Sequence, residues 1–373
     1  MKFYIISGEA SGDLHGANLV KELKSQDPNF EARGWGGDKM KAEGVDLAKH
    51  YKELAFMGFL EVLMNLRTIL RNMKFCKKDV VDYNPDAVIL IDYAGFNLRI
   101  AEYFHEKGIK VFFYISPQVW AWKESRVKKI KERVDHLFVI LPFEKEFYQK
   151  HDYYVDYVGN PVLDEISNFR KLNKGNLDFR KENGFSNKKI IALLPGSRTQ
   201  EITKKLPIML SVVDDYPQFE FVIAGAPAQE KEIYLNIIGD KKNVKILFDK
   251  TYPLLNNSYA ALVTSGTATL ETALFEVPQV VCYKSSAVSV AIARRLVKID
   301  YISLVNIIMK KEMVRELIQE DLNVKQLKIE FEKIIEGDTR EEMLTNYKIL
   351  LEMLGGEGAS KKTAQLIYKY LKN

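Results

Sequence analysis

The sequence predicts an α/β protein of two domains, each built on a parallel sheet. Three observations carry that reading. Short apolar runs alternate with amphipathic stretches almost from end to end, the pattern of βα units. The alternation pauses in the polar segment "SNFRKLNKGNLDFRKENGFSNKK", residues 167–189, and then restarts. At 373 residues the chain exceeds the size at which single cores stop growing. The expected division is 1–166 and 167–373, two Rossmann-like domains facing an interdomain cleft, with the charged helical tail in the second.

In the first half, strands are expected at "KFYIIS", "FEARGW", "AVILID", "KVFFYIS", "HLFVI" and "YYVDYVG". The stretches 14–24, 59–83, 96–107 and 125–133 read as helices between them. The second half restarts with "IIALLPG", "FEFVIAG", "VKILF", "AALVTSG" and "PQVVCY". No sequence repeat goes beyond this architectural echo.

Composition narrows the class. With 47% apolar and 28% charged residues the chain reads as a soluble globular protein. A formal charge of +5 is too mild to suggest nucleic acid, so attraction to anions must come from local clusters. Cys76 and Cys282 lie far apart, and neither belongs to a CxxC or Cys/His cluster. That argues for a reducing compartment and against a disulfide framework or a structural metal. The opening residues do not read as a secretory signal, and the apolar window 54–66 carries Glu61 and is too short to span a bilayer. A cytoplasmic location is expected.

Open parallel sheets bind ligands outside the carboxyl ends of their strands, so the motifs there carry the functional reading. In "IALLPGSRTQEI", Pro195 and Gly196 end a buried strand, and Ser197 is placed to cap the next helix with Gln200 three positions on. Free N–H groups at a helix start attract phosphate oxygens, and Arg198 adds a planar cation. "ALVTSGTATLETALF" repeats the logic: Ser265 and Gly266 follow a strand, Thr267 and Thr269 offer hydroxyls, and Glu271 lies one turn into the helix. A carboxylate there can accept two hydrogen bonds from a ribose diol, or simply complement the helix dipole. Neither half has GxxxxGK[ST], and glycines 8, 12 and 16 do not make GxGxxG. A nucleotide diphosphate in the second domain therefore reads as a leaving group, with no redox cofactor implied.

The first half differs in chemistry. "SGEASGDLHG" carries Glu9 and Asp13 where a phosphate would want positive charge, which leaves open what Glu9, Ser11, Asp13 and His15 hold. Asp92 closes "AVILID" and is either a helix cap or a general base, with Asn97 at the start of the next helix. "YISPQVWAWKESRVKKIKERV" places Gln118, Trp120 and Trp122 ahead of a basic helix, either as packing or as the lining of an amphiphilic pocket. Over 59–78, Leu60 and Met64 continue at helical spacing into Arg67, Arg71, Lys74 and Lys78. Such a face suits an interfacial helix on anionic lipid, the alternative being a core helix with a solvated side.

Taken in order, "SGEASGDLHGA", "GWGGDKMKAEG", "LAFMGFLEVL", "YISPQVWAWKESRVKKI", "LPFEKEFY", "VGNPVLD", "LLPGSRTQEI", "SGTATLE" and "RRLVKIDYISLVNII" resemble the lipid-A-disaccharide synthases, inverting glycosyltransferases of the GT-B fold. The resemblance implies UDP-2,3-diacylglucosamine as donor and 2,3-diacylglucosamine 1-phosphate as acceptor. It further implies a β-1,6 disaccharide and UDP as products, and no metal. It places the nucleotide on Gly196, Ser197, Arg198, Ser265, Gly266, Thr267, Glu271 and Asn306, and implies peripheral attachment to lipids on the cytoplasmic face of the inner membrane. A homodimer stays open. The acceptor side falls on the opening loop, Asp92, Asn97 and "SPQVWAW". Many members have a second aspartate where this chain has Gly95, and commonly a histidine where it has Asn160. Neither missing group can be the base here, which favours Asp92, with Asp13 as runner-up. Other GT-B-like proteins, such as the UDP-GlcNAc 2-epimerases, are the nearest rivals, and a non-catalytic sugar-nucleotide-binding protein is the rival of another class.

Overall fold

The computed structural model describes residues 1–54, 66–122, 124–173, 179–227, 229–285 and 300–372. The chain divides into two compact units, Met1–Asp164 with Gly356–Asn373, and Glu165–Gly355.

Among the described residues the first unit holds seven strands: β1 Lys2–Ser7, β2 Glu31–Gly36, β3 Asp46–His50, β4 Ala87–Ile91, β5 Lys110–Tyr114, β6 His136–Val139 and β7 Asp156–Tyr157. They lie in the order β3-β2-β1-β4-β5-β6-β7, all parallel. Strand periodicity sends alternate side chains to opposite faces, and both faces are covered. Phe3, Ile5, Ile89 and Phe112 face one core, while Tyr4, Ile6, Leu90 and Phe113 face the other. This is why the strands read as unbroken apolar runs. The edge strand β3, "DLAKH", lacks that signature because it is only half-buried, and the sequence reading missed it.

The helix Ala359–Lys372 packs on α1 (Ala10–Gln26). Ala364, Ile367 and Tyr368 join the core beneath Phe3 and Ile5, and the Tyr368 hydroxyl donates to the Leu23 carbonyl at 3.1 Å. The expected boundary left residues 356–373 with the second domain. Their apolar face instead completes the first unit, adding to the cover that α1 gives that side of the sheet.

The second unit holds β8 Lys189–Leu194, β9 Phe219–Gly225, β10 Val244–Phe248, β11 Ser258–Thr264, β12 Gln279–Tyr283 and β13 Glu316–Ile318. Their order is β10-β9-β8-β11-β12-β13, again all parallel. In each sheet the strand order reverses at one place, between β1 and β4 and between β8 and β11. Those two switch points are where an open parallel sheet leaves a crevice.

Candidate functional site

At the first switch point the chain is tightly constrained. β1 ends at Ser7, two residues turn the backbone, and α1 begins at Ala10 with Glu9 as its N-cap. Most of "SGEASGDLHG" is therefore helix, not loop. A Cβ on Gly12 would come within 2.9 Å of the Ser7 Cβ, and one on Gly16 within 2.6 Å of the Met40 sulfur. These glycines let the helix lie close on the sheet. Only Gly8 borders the switch point, where a Cβ would collide with the Tyr93 ring.

Asp13 is spent structurally. Its carboxylate accepts from the backbone N–H groups of Gly37 (2.7 Å), Met40 (3.0 Å) and Lys39 (3.1 Å), capping the short helix Asp38–Ala42. It is 3% exposed, so no face remains for a substrate proton, and the runner-up base is withdrawn. "GWGGDKM" reads as the cradle of this carboxylate.

Asp92 and Tyr93 both adopt left-handed backbone, φ 46° and 48°, directly after β4. Ile115 does so after β5, φ 67°, a genuine outlier for a β-branched residue. Strain of this kind persists only where surrounding structure fixes it, and it clusters at functional sites. Here the Asn97 amide donates to the carbonyls of Asp92 (2.7 Å) and Ile91 (3.4 Å). The Asn97 Oδ1 is buried with no hydrogen-bond partner among the described residues. Burial pushes the Asp92 carboxyl above the ordinary aspartate range, with the His15 charge and the Tyr93 N–H pulling the other way. Burial, then the Glu9 charge, raises the Tyr93 phenol. Glu9, His15, Asp92 and Tyr93 thus form one electrostatic group, with Asn97 bracing its backbone. Ser11 is exposed on the first turn of α1.

Beyond β5, Gln118 is exposed and Trp120 packs edge-on against Phe143 with centroids 4.9 Å apart. The Trp122 side chain lies outside the described residues. Glu144 is buried beneath this segment, its Oε2 accepting from the N–H groups of Leu141 (2.9 Å) and Ile140 (3.2 Å). Burial pushes its carboxyl up to about 7, against the opposing pull of those N–H groups, Trp120 and Ser116. Asn160 caps the helix Pro161–Leu172 through the Val162 N–H at 3.1 Å. At Gly95 an added Cβ would meet nothing within 4 Å.

The apolar half of the expected interfacial helix, residues 59–65, lies outside the described residues. The helix Leu66–Tyr83 buries Cys76 and Val80, and it exposes Arg67, Arg71, Lys74 and Lys78 beside Leu70 and Val81. Leu70 is 54% exposed.

At the second switch point the β8 and β11 ends open on a cavity of about 430 Å³. Its walls include Gly196, Ser197, Arg198, Ser265, Gly266, Thr267 and Glu271, so seven of the predicted nucleotide residues come together. The volume suits a small organic ligand. The cap differs from expectation. Arg198, not Ser197, is the N-cap of the helix Thr199–Met209, and Glu201 closes the capping box in place of Gln200. Glu201 Oε2 accepts from the Ser197 N–H at 3.1 Å and the Arg198 N–H at 3.4 Å. Gly196, at φ 114°, leaves room for that carboxylate. The Thr269 hydroxyl donates to the Gly266 carbonyl at 2.7 Å and is not available as a ligand group.

Asn306 is a correction. It is wholly buried, and its amide bonds Val314 O (2.8 Å) and Glu316 Oε1 (2.9 Å) while accepting from the N–H groups of Met313 (2.7 Å) and Val314 (3.0 Å). Its hydrogen-bonding capacity is filled by the segment 313–316, and it does not line the cavity. The sequence reading missed the β9 end, Ala224–Pro227, together with Thr251 and Thr264, which complete the wall. "FEFVIAGAP" carried the signal, a buried strand ending in small residues. Among the described residues no group of three or more His, Cys, Asp or Glu side chains could hold a metal.

A family model described as lipid-A-disaccharide synthetase matches residues 3–369. The chain belongs to this family. Lipid-A-disaccharide synthase of Syntrophus aciditrophicus is 38% identical over 99% of this chain and 97% of its own. That of Trichlorobacter lovleyi is 36% identical over 97% and 96%. Among solved structures, UDP-GlcNAc 2-epimerase from Neisseria meningitidis bound to UDP-GlcNAc superposes with a TM-score of 0.68 at 14% identity, covering both chains fully. The calicheamicin glycosyltransferase CalG4 does so at 0.60 and 13%, over 100% of this chain and 98% of that one. At such identities these two show the fold, two Rossmann-like domains of GT-B type. The disaccharide synthetase family makes this chain a glycosyltransferase of lipid A biosynthesis.

Proposed function

We propose that the chain transfers 2,3-diacylglucosamine from its UDP donor to 2,3-diacylglucosamine 1-phosphate, giving a β-1,6 disaccharide and UDP. The observation that carries this is the cavity at the β8/β11 switch point. It joins two helix starts, the Arg198 guanidinium and the Glu271 carboxylate, a combination suited to a diphosphate with a ribose beside it. The family relatives support the product class.

In this reading Asp92 takes the proton of the acceptor 6-hydroxyl as that oxygen attacks the anomeric carbon opposite UDP, inverting α to β in a single displacement. Asn97 is a positioning residue that holds the strained Asp92 backbone. His15 and Glu9 set the local charge and meet sugar hydroxyls. Arg198 and the two helix starts stabilise charge growing on the departing diphosphate, a contribution of several kcal/mol in comparable sites. Work is expected at the cytoplasmic face of the inner membrane, with the basic, partly apolar face of Leu66–Tyr83 against anionic lipid. No helix among the described residues is long and apolar enough to cross a membrane.

The test is transfer from a radiolabelled UDP-diacylglucosamine of defined chain length to the diacyl 1-phosphate. Equal release of disaccharide and UDP is expected. Epimerised donor would assign the rival enzyme class, and UDP binding with neither product would reduce the chain to a binding protein.

A further inference from the structure

One buried charge beneath the second cavity has no role in the reading above. Lys205 lies on the helix Thr199–Met209, one turn beyond Glu201, and is 1% exposed. Its ammonium donates to Thr264 Oγ1, and no carboxylate forms an ion pair with it among the described residues. Buried cations are ordinarily paired, because desolvating an isolated charge is costly. Burial pushes the Lys205 ammonium below the ordinary lysine value; Glu201 and Cys282 partly offset this and Arg198 reinforces it.

Thr264 ends β11 and lines the cavity. An ammonium has three donors and no acceptor, so in this contact the threonine oxygen must accept. The hydroxyl proton then points elsewhere, and it has no acceptor among the described residues. A second buried donor is thus aimed from a wall that also holds Arg198, and an anion in the cavity would answer both deficits.

We propose that Lys205 is a concealed cation of the diphosphate site, acting as a positioning residue that turns the Thr264 hydroxyl toward a phosphate oxygen. Its charge lies under the cavity floor, where low dielectric lets it act on a bound anion with little screening. The inference rests on the donor-site reading and names a group that reading did not contain.

Calorimetric titration with UDP and, separately, with uridine tests it. Lys205→Met should weaken UDP about ten-fold or more, as loss of a charge-assisted contact does, and leave uridine within about two-fold. Thr264→Val should share that phosphate-selective loss, and Thr264→Ser, which keeps the hydroxyl, should restore binding. Should Lys205→Met fail to fold, the Val and Ser variants carry the same comparison. Equal losses for UDP and uridine, or unchanged UDP affinity, would overturn the role of Lys205. A wild-type protein that binds neither ligand overturns the donor-site reading as well, so the two failures are distinguishable.

Discussion

The Tyr252 hydroxyl lies 3.1 Å from Glu271 Oε1 and, on its other side, 3.0 Å from Glu165 Oε2. Burial and the two carboxylates push this phenol far above its usual range, so it stays a donor at any working pH. The contact fixes the rotamer of the carboxylate assigned to the ribose. Tyr252→Phe is expected to weaken UDP by about three- to ten-fold, the net size of one ordinary hydrogen bond, since the lost contact acts on the nucleotide only through Glu271. The loss should shrink with 2′,3′-dideoxy-UDP, measured by the same titration. An equal loss for both nucleotides would mean that Glu271 does not meet the diol.

Asp92→Asn removes the proposed base while keeping size and backbone. Turnover should fall by about 10² to 10⁴, the usual range for general-base loss, with UDP affinity within about two-fold. The wild-type acid limb should also be displaced. The ionised carboxylate is required and burial raises its pKa, so activity should fall off on acidification at a pH above the ordinary aspartate value. Near-normal turnover by the variant would eliminate the assignment.

Gly8→Ala tests how closely the two strand ends meet. The new methyl group would overlap the Tyr93 ring. Overpacking of this kind costs about 1–3 kcal/mol, readable as a lower urea midpoint. Turnover should fall further than stability alone explains, since Tyr93 shares its strained turn with Asp92.

Glu144 gives a pH signature. Its folded-state pKa of about 7 lies above the unfolded value, so the folded chain holds the extra proton between the two. Stability from this group is present below pH 4.5 and is lost as pH rises through 7, about 3 kcal/mol in all. Glu144→Gln keeps an acceptor for Ile140 and Leu141 and never ionises. It should raise the melting temperature at pH 8 and change little at pH 4.5; a pH-independent shift would contradict the linkage.

Reversing Arg71, Lys74 and Lys78 to glutamate should reduce co-sedimentation with phosphatidylglycerol vesicles more than ten-fold, at about 1 kcal/mol per basic residue. Binding to zwitterionic vesicles should not change. Unaltered sedimentation with anionic vesicles would remove this face from any membrane contact.

The strands were legible because parallel sheets covered on both sides leave continuous apolar runs; β1, β4, β5, β8 and β11 all did so. The residues that meet at the second cavity were legible too, because a strand, a glycine and a helix start are adjacent in sequence. Roles that depend on distant partners were not. Asp13 looked catalytic because nothing local reveals that Gly37, Lys39 and Met40 would enclose it. Asn306 looked like a ligand group, but four hydrogen bonds to Met313, Val314 and Glu316 fill it. Lys205 was one lysine among many, and only the fold shows that it is buried against a residue 59 positions away.

The return of the helix Ala359–Lys372 to α1 sets an order of assembly. During synthesis the β1–β7 sheet emerges first, yet the face bearing Phe3 and Ile5 waits for Ala364 and Ile367. Every residue of the second unit must leave the ribosome before that cover arrives. The first unit to be made is therefore the last to be sealed, and until then part of its apolar face stays in water.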